Sequence, residues 1–132
     1  MFLNETGISI DDIERVIGIF YRDIRDDPTL GPVFAKHVDN WPEHEKLITD
    51  FWSNAMLRSG AYVGNPMRKH LAAQDVMPAH FTTWLDLFDA VLTRTLPASK
   101  AVAWSNLTRR IGRGLCLGIQ DRNRPKGAVP AL

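Results

Sequence analysis

The sequence predicts an all-α domain, and three observations carry this prediction. Apolar residues recur at steps of three and four along four long segments, which is the period of one helix face. Proline and glycine fall mostly between these segments, as they do in helical bundles. No stretch of useful length alternates apolar and polar residues, so the sequence offers no strand.

The first helix is predicted to start after Ser9. Ser9 is a favoured N-cap residue, and Asp12 stands three positions later, where a capping box usually has Glu or Gln. The apolar positions that follow are spaced by three and one and share one helix face: Ile13, Val16, Ile17, Phe20, Tyr21 and Ile24. Asp27, as an N-cap, and Pro28 predict a short second helix, before a turn and loop over residues 31–40.

Three further long helices are predicted by the same spacing, over residues 42–58, 78–96 and 99–119. Pro97 separates the last two, because proline does not continue a helix interior. Between the first two, Asn65-Pro66 predicts a very short helix that carries His70. Residues 121–132 contain proline, glycine and charge without periodicity, so we expect one domain over residues 1–120 and a flexible tail.

Length and composition fit a single globular domain, with 132 residues and 45% hydrophobic content. The 16 Lys and Arg residues are balanced by 15 Asp and Glu, which argues against a nucleic-acid binder. Cys116 is the only cysteine, which excludes an internal disulfide and fits the reducing cytoplasm where we expect the protein. The sequence has neither a signal peptide nor an apolar run of about 18 residues, so no membrane association is expected.

Common catalytic motifs are absent from the sequence. The histidines and the cysteine form no His-x-x-x-His or Cys-x-x-Cys pair of the kind that binds zinc. A phosphate loop, a G-x-G-x-x-G turn and a G-x-S-x-G nucleophile elbow are also missing. Hydrolytic and nucleotide-dependent chemistry therefore have no visible residues to carry them.

Polar side chains lie on the predicted core faces of three different helices, at Tyr21, His44 and Trp84. Each of them alone is more often an ordinary core or solvated residue than part of a site. Together they could bring their polar atoms to one small volume. This possibility makes them candidates for a binding site.

His70 is a candidate for a different reason. The predicted short helix that carries it is too brief to be stable by itself. His70 could bind a metal there, and the preceding Arg68 and Lys69 could meet an anion. A plain surface turn with a basic patch accounts for the same residues, and their types and spacing do not decide between the two interpretations.

Six blocks of sequence carry a resemblance to a known family. They are Ile19-Phe20-Tyr21, Leu30-Gly31-Pro32-Val33-Phe34, Trp41-Pro42-Glu43-His44, Phe51-Trp52, Asn65-Pro66-Met67-Arg68-Lys69-His70-Leu71 and Trp84-Leu85-Asp86-Leu87-Phe88. In their order and spacing, over about residues 10–120, they resemble the group III (class P) truncated haemoglobins of bacteria. The resemblance implies a shortened globin fold, in which two crossed helix pairs form a 2-over-2 sandwich around haem b.

The resemblance also implies roles for the candidate residues. His70 matches the proximal histidine that ligates the haem iron. On the distal side, Tyr21, His44 and Trp84 match the residues next to the small ligand. The side chains implied to contact the haem are Phe34, Ile48, Phe51, Met67, Arg68, Lys69, Leu71 and Phe88, the two basic ones at the propionates.

Such a site implies binding of O2, NO or CO at a pentacoordinate iron. The Tyr21 hydroxyl and the Trp84 indole N–H would each donate to a ligand that gains negative charge, and such a bond is worth about 1.5–3 kcal/mol. His44 is expected to act as a further donor or as a gate. Tight retention of the ligand favours redox chemistry, such as NO dioxygenation or the reduction of peroxide or nitrite, over simple delivery.

Whether the protein is an enzyme stays open at this point. No flavin or nicotinamide domain is recognisable in the sequence, so redox chemistry would need electrons from a separate reductase. The alternative function is that of a non-enzymatic O2 carrier, scavenger or sensor. A third possibility is an all-α scaffold that binds a protein or a lipid and no haem. We expect a monomer or a weak dimer.

Overall fold

A computed structural model describes residues 7–58, 60 and 77–122. This part of the chain forms five α-helices and no strand, which confirms the all-α prediction. The helices are α1 (Ile10–Asp26), α2 (Leu30–His37), α3 (Trp41–Leu57), α4 (Pro78–Thr95) and α5 (Ala98–Arg122). None of these helices combines the length and the apolar content that crossing a bilayer requires. The predicted short helix at residues 65–70 lies outside the described residues.

Helix α1 begins with the predicted capping box. The Ser9 hydroxyl accepts a hydrogen bond from the Asp12 main-chain N–H, and the Asp12 carboxylate accepts one from the Ser9 N–H, both at 3.1 Å. Lys100 of α5 donates to the same carboxylate at 3.0 Å. The Ser9 backbone hydrogen bond, followed by Lys100, lowers the pKa of Asp12. Aspartate at this position therefore caps α1 and also ties it to the last helix.

The prediction of a loop over residues 31–40 is wrong, because residues 30–37 form α2. Asp27 does act as a cap, since its carboxylate accepts hydrogen bonds from the N–H groups of Thr29 and Leu30 at 2.9 and 2.8 Å. Pro32 lies in the first turn, where the missing N–H has no intrahelical partner to lose. Glycine and proline signals here mark a tight helix start and not a loop.

The packing of α2 on the end of α1 requires glycine at position 31. A Cβ atom built on Gly31 would lie 2.9 Å from the carbonyl oxygen of Arg25 and 3.3 Å from that of Ile24. Both distances are shorter than the ordinary contact of a side-chain carbon. The corner between α1 and α2 is therefore closed by backbone against backbone.

The other long helices match their predicted positions within a few residues. Asn40 caps α3 by accepting from the Glu43 N–H at 3.1 Å, and Pro42 occupies the first turn. Helix α3 ends at Arg58, which adopts the left-handed conformation with φ 55°. Helix α5 continues to Arg122, beyond the predicted end at residue 119.

Helix α1 lies at the centre of the described helices and contacts α2, α3 and α4, while α4 also packs against α5. Aromatic rings dominate the core. Phe88 of α4 stacks between Trp84, at 5.0 Å, and Trp52 of α3, at 5.9 Å, and Trp104 of α5 packs edge-on against it at 5.4 Å. Phe20 joins this cluster from α1, with its ring 4.8 Å from that of Phe88.

Candidate functional site

Aromatic side chains from three helices meet beside the core. The Tyr21 ring of α1 lies 5.1 Å from the imidazole of His44 on α3, with the two planes nearly perpendicular at 89°. Phe34 of α2 contacts the same two rings at 5.8 and 6.2 Å. Trp41, one turn before His44 on α3, completes the group at 6.0 Å from both Tyr21 and His44. We call these four residues the aromatic box.

Tyr21 is the buried polar residue of the aromatic box. Its side chain is 2% exposed, because it continues the apolar face of α1. This burial raises the pKa of the Tyr21 phenol above its ordinary value, and the negative charge of Glu45 raises it further. The hydroxyl therefore stays protonated at physiological pH and is available as a neutral hydrogen-bond donor.

Trp84 is connected to the aromatic box through the ring of Phe20. Its indole contacts Phe20 edge-on at 5.0 Å, and Phe20 in turn contacts Tyr21 at 5.1 Å. Trp84 is half-buried on α4. The structure thus brings Tyr21 and His44 into direct contact and connects Trp84 to Tyr21 through the Phe20 ring.

Four of the apolar side chains predicted to contact the haem lie in the described part of the chain, on α2, α3 and α4. Phe34, Ile48 and Phe51 are half-buried and pack against the core from α2 and α3. Phe88 has no exposed surface, since other side chains cover it completely. The remaining predicted site residues lie outside the described part of the chain, and they are Met67, Arg68, Lys69, His70 and Leu71.

The sequence argument assigned no site role to Arg25, Trp41 or Glu45. The guanidinium of Arg25 donates to the main-chain oxygen of Tyr21 at 3.2 Å and to the Glu45 carboxylate at 3.2 Å. Its central carbon lies 4.8 Å from the centre of the Trp41 ring. Helical spacing could have indicated Arg25 and Trp41, because Arg25 follows Tyr21 by four residues and Trp41 precedes His44 by three. Residues at these spacings lie on the same face of a helix.

Comparisons with known proteins identify related globins. The chain is 35% identical over 89 residues to the group 3 truncated hemoglobin ctb of Campylobacter jejuni, covering 64% of this chain and 70% of the relative. It also matches the crystal structure of a group III truncated hemoglobin from Campylobacter jejuni, with a TM-score of 0.79 and 28% identity. That match covers 83% of this chain and 89% of the other. No protein-family model matches the sequence.

The helical fold and the matched extent define a globin of the shortened type. The chain belongs to the group III truncated haemoglobins. Both the family resemblance and the shortened globin fold predicted from the sequence are thereby confirmed.

Proposed function

We propose that this protein binds haem b, with His70 as the protein ligand of the iron, and holds O2, NO or CO next to Tyr21. Membership of the group III truncated haemoglobins supports haem and small-ligand binding. The observation that carries the proposal further is the contact between the buried Tyr21 ring and His44 at 5.1 Å. It places a protonated phenol and an imidazole side by side within apolar surroundings.

The side chains present fit such a cofactor. A porphyrin is flat and largely apolar, and it needs apolar walls that it can cover. Phe34 of the aromatic box supplies half-buried apolar surface, and so do Ile48 and Phe51, which follow His44 on α3. Phe88 is fully buried, so we propose that it supports Trp84 from behind and does not itself contact the cofactor.

When bound, haem would supply an iron atom that binds a diatomic ligand and exchanges electrons with it. The Tyr21 hydroxyl would donate a hydrogen bond to a ligand that gains negative charge, worth about 1.5–3 kcal/mol. His44 packs on the Tyr21 ring and fixes its orientation. Apolar neighbours exclude water and keep the electrostatic effect of this donor strong. Trp84, which contacts Phe20, would act as a second donor.

Retention of the ligand by these donors favours redox chemistry on it. We propose NO dioxygenation, or the reduction of peroxide or nitrite, with a separate reductase as the electron donor. The same donors that slow ligand escape also stabilise negative charge that develops during such reactions. Rapid consumption of NO by the reduced protein in air-saturated buffer would support this reaction class. If the protein consumes NO no faster than a simple O2 carrier does and also releases O2 quickly, its function is O2 transport.

Absorption spectra of the wild type and of His70→Ala test the haem proposal most directly. We expect a Soret band in the wild type and a weakened or shifted band in His70→Ala, because the imidazole is the proposed ligand. His37→Ala is the matched control, since His37 is exposed at the end of α2. An unchanged Soret band in His70→Ala, or a wild type that takes up no haem, would contradict the proposal.

A further inference from the structure

We propose that Arg25 is a positioning residue that limits ligand access to the site. Together with Glu45 it fastens the first turns of α3 to α1 and keeps Trp41 closed over Tyr21. We call this ion pair the Arg25–Glu45 clasp. The inference rests on the proposed function, because it concerns the entry of small ligands to the proposed haem site.

Three contacts converge on the single guanidinium of Arg25. It donates from Nε to the main-chain oxygen of Tyr21 at 3.2 Å, within its own helix. It donates from Nη2 to the Glu45 carboxylate of α3, also at 3.2 Å. Its central carbon lies over the Trp41 ring at 4.8 Å, within the range of a cation–π contact. Arg25 therefore connects the backbone beside Tyr21 to two residues of α3.

The residue that the clasp covers is part of the aromatic box. Trp41 stacks on Phe34 with a centroid distance of 6.4 Å and an angle of 28° between the planes. It also contacts Tyr21 and His44, both at 6.0 Å. Trp41 is half-buried, so its outer side borders solvent. A ligand that enters from this side has to pass the Trp41 ring, and the guanidinium of Arg25 lies over that ring.

The Arg25–Glu45 clasp is a partly exposed ion pair. Its side chains are 41% exposed at Arg25 and 24% exposed at Glu45. Glu45 also lines an open cleft of about 350 Å³ between α1 and α3, so ions in solution reach the carboxylate. Exposed ion pairs are weak and are screened by salt. Screening therefore provides a way to open this clasp without a substitution.

A second ion pair between α1 and a neighbouring helix provides a matched control. Arg94 of α4 pairs with Asp23 of α1, with exposed fractions of 49% and 28%. This pair also joins α1 to a neighbouring helix, and within the described part of the chain it makes no ion pair or ring contact with the aromatic box. Arg25→Gln and Arg94→Gln thus remove the same side-chain chemistry at similar exposure. Any general effect of losing one interhelical ion pair is common to both variants.

The experiment measures CO association by flash photolysis in wild type, Arg25→Gln, Glu45→Gln, the double variant and Arg94→Gln. We expect association roughly threefold faster in Arg25→Gln and Glu45→Gln, the size of shift that losing an exposed ion pair produces. The double variant should add nothing further, because both substitutions remove one interaction. Arg94→Gln should match the wild type. The CO association rate of Arg25→Lys should lie between those of the wild type and Arg25→Gln, since an ammonium group keeps the charge but not the planar contact with Trp41.

Salt gives a readout that a purely structural role of Arg25 would not change. CO is uncharged, so ionic strength does not steer its approach. We expect added salt to accelerate CO association in the wild type towards the value of Arg25→Gln and to leave that variant unaffected. Equal rates in Arg25→Gln and Arg94→Gln, or a wild-type rate that is independent of salt, would overturn the proposal.

A second measurement separates this proposal from the haem proposal. The sequence has four tryptophans, and fluorine NMR of fluorotryptophan-labelled protein resolves their signals. The Trp41 signal is assigned as the one that disappears in Trp41→Phe. Without added haem, Arg25→Gln should shift the Trp41 signal and Arg94→Gln should not. A wild type without a Soret band overturns the haem proposal and ligand access with it, while the Trp41 signal still reports the clasp. A shifted Trp41 signal with unchanged CO rates overturns the access claim alone.

Discussion

Tyr21 carries the hydroxyl group that we propose to have the largest effect on ligand retention. It is 2% exposed, and its burial and the charge of Glu45 both hold the phenol in its neutral form. Trp84, in contrast, is half-buried and connected to Tyr21 through the ring of Phe20. The sequence treated these two donors as equals, and the difference in burial leads us to propose that Tyr21 is the stronger one.

Substitution of Tyr21 by phenylalanine should therefore speed O2 dissociation from the haem-loaded protein. Loss of one hydrogen bond to a charged acceptor, about 1.5–3 kcal/mol, corresponds to an acceleration of roughly tenfold to a hundredfold. Trp84→Phe should have a smaller effect. Stopped-flow displacement of O2 by CO measures both rates, and a larger effect of Trp84→Phe would reverse the ranking.

The raised pKa of Tyr21 also predicts how stability depends on pH. Above the ordinary phenol value of 10.0, the unfolded chain releases a proton that the folded chain retains at Tyr21. The unfolded state then binds fewer protons, so the free energy of unfolding decreases as the pH rises. We expect the wild type to lose thermal stability relative to Tyr21→Phe between about pH 9 and 11. Parallel Tm curves for the two proteins would contradict this expectation.

At the scale of elements, the sequence predicted helix existence better than helix boundaries. Helices α1, α3, α4 and α5 carry apolar residues at helical spacing, and that local signal suffices to find them. Helix α2 was predicted to start at Pro28 and to end before residue 31, whereas it spans Leu30–His37, because Gly31 and Pro32 resemble loop residues. Their role depends on the approach of α2 to the α1 carbonyls, which is a tertiary contact. The Arg25–Glu45 clasp was missed for the same reason, since its partners are 20 residues apart.

The corner between α1 and α2 gives a test at this scale. Gly31→Ala should destabilise the protein by about 1–3 kcal/mol, because the added Cβ would lie 2.9 Å from the Arg25 carbonyl oxygen. Gly114→Ala is the control, since a Cβ there meets nothing within 4 Å. The control should be neutral or stabilising by up to about 1 kcal/mol, as alanine favours a helix interior. Urea unfolding measures both, and equal effects would contradict the assignment.

The whole molecule is organised by the aromatic core, to which α1, α3, α4 and α5 each contribute. Phe88 lies between Trp84 and Trp52 in a stack that leads from the proposed site into the centre of the fold. The family resemblance anticipated the overall fold, because matched blocks imply matched packing. Periodicity alone identified the buried faces but not which rings meet, since ring contacts depend on how the helices cross.

Phe88→Ala should accordingly affect the molecule as a whole. Removal of a buried phenylalanine costs about 3–5 kcal/mol, a large part of the total stability of a domain. Leu117→Ala, at a side chain that is 37% exposed, should cost far less. Denaturant unfolding followed by circular dichroism compares the two variants. A loss of less than about 1 kcal/mol in Phe88→Ala would be inconsistent with a central role for this ring.

The central place of α1 has a consequence for biosynthesis. Helices α4 and α5 are joined by only two residues, Leu96 and Pro97, and pack directly on each other, so they pair at low loop-closure entropy. Helix α1 leaves the ribosome first, yet the partners of its Phe20 ring, Trp84 and Phe88, are translated much later. The part of α1 around Phe20 thus lacks these partners until α4 is translated, and a nascent chain arrested before α4 should bind chaperones that recognise exposed apolar segments.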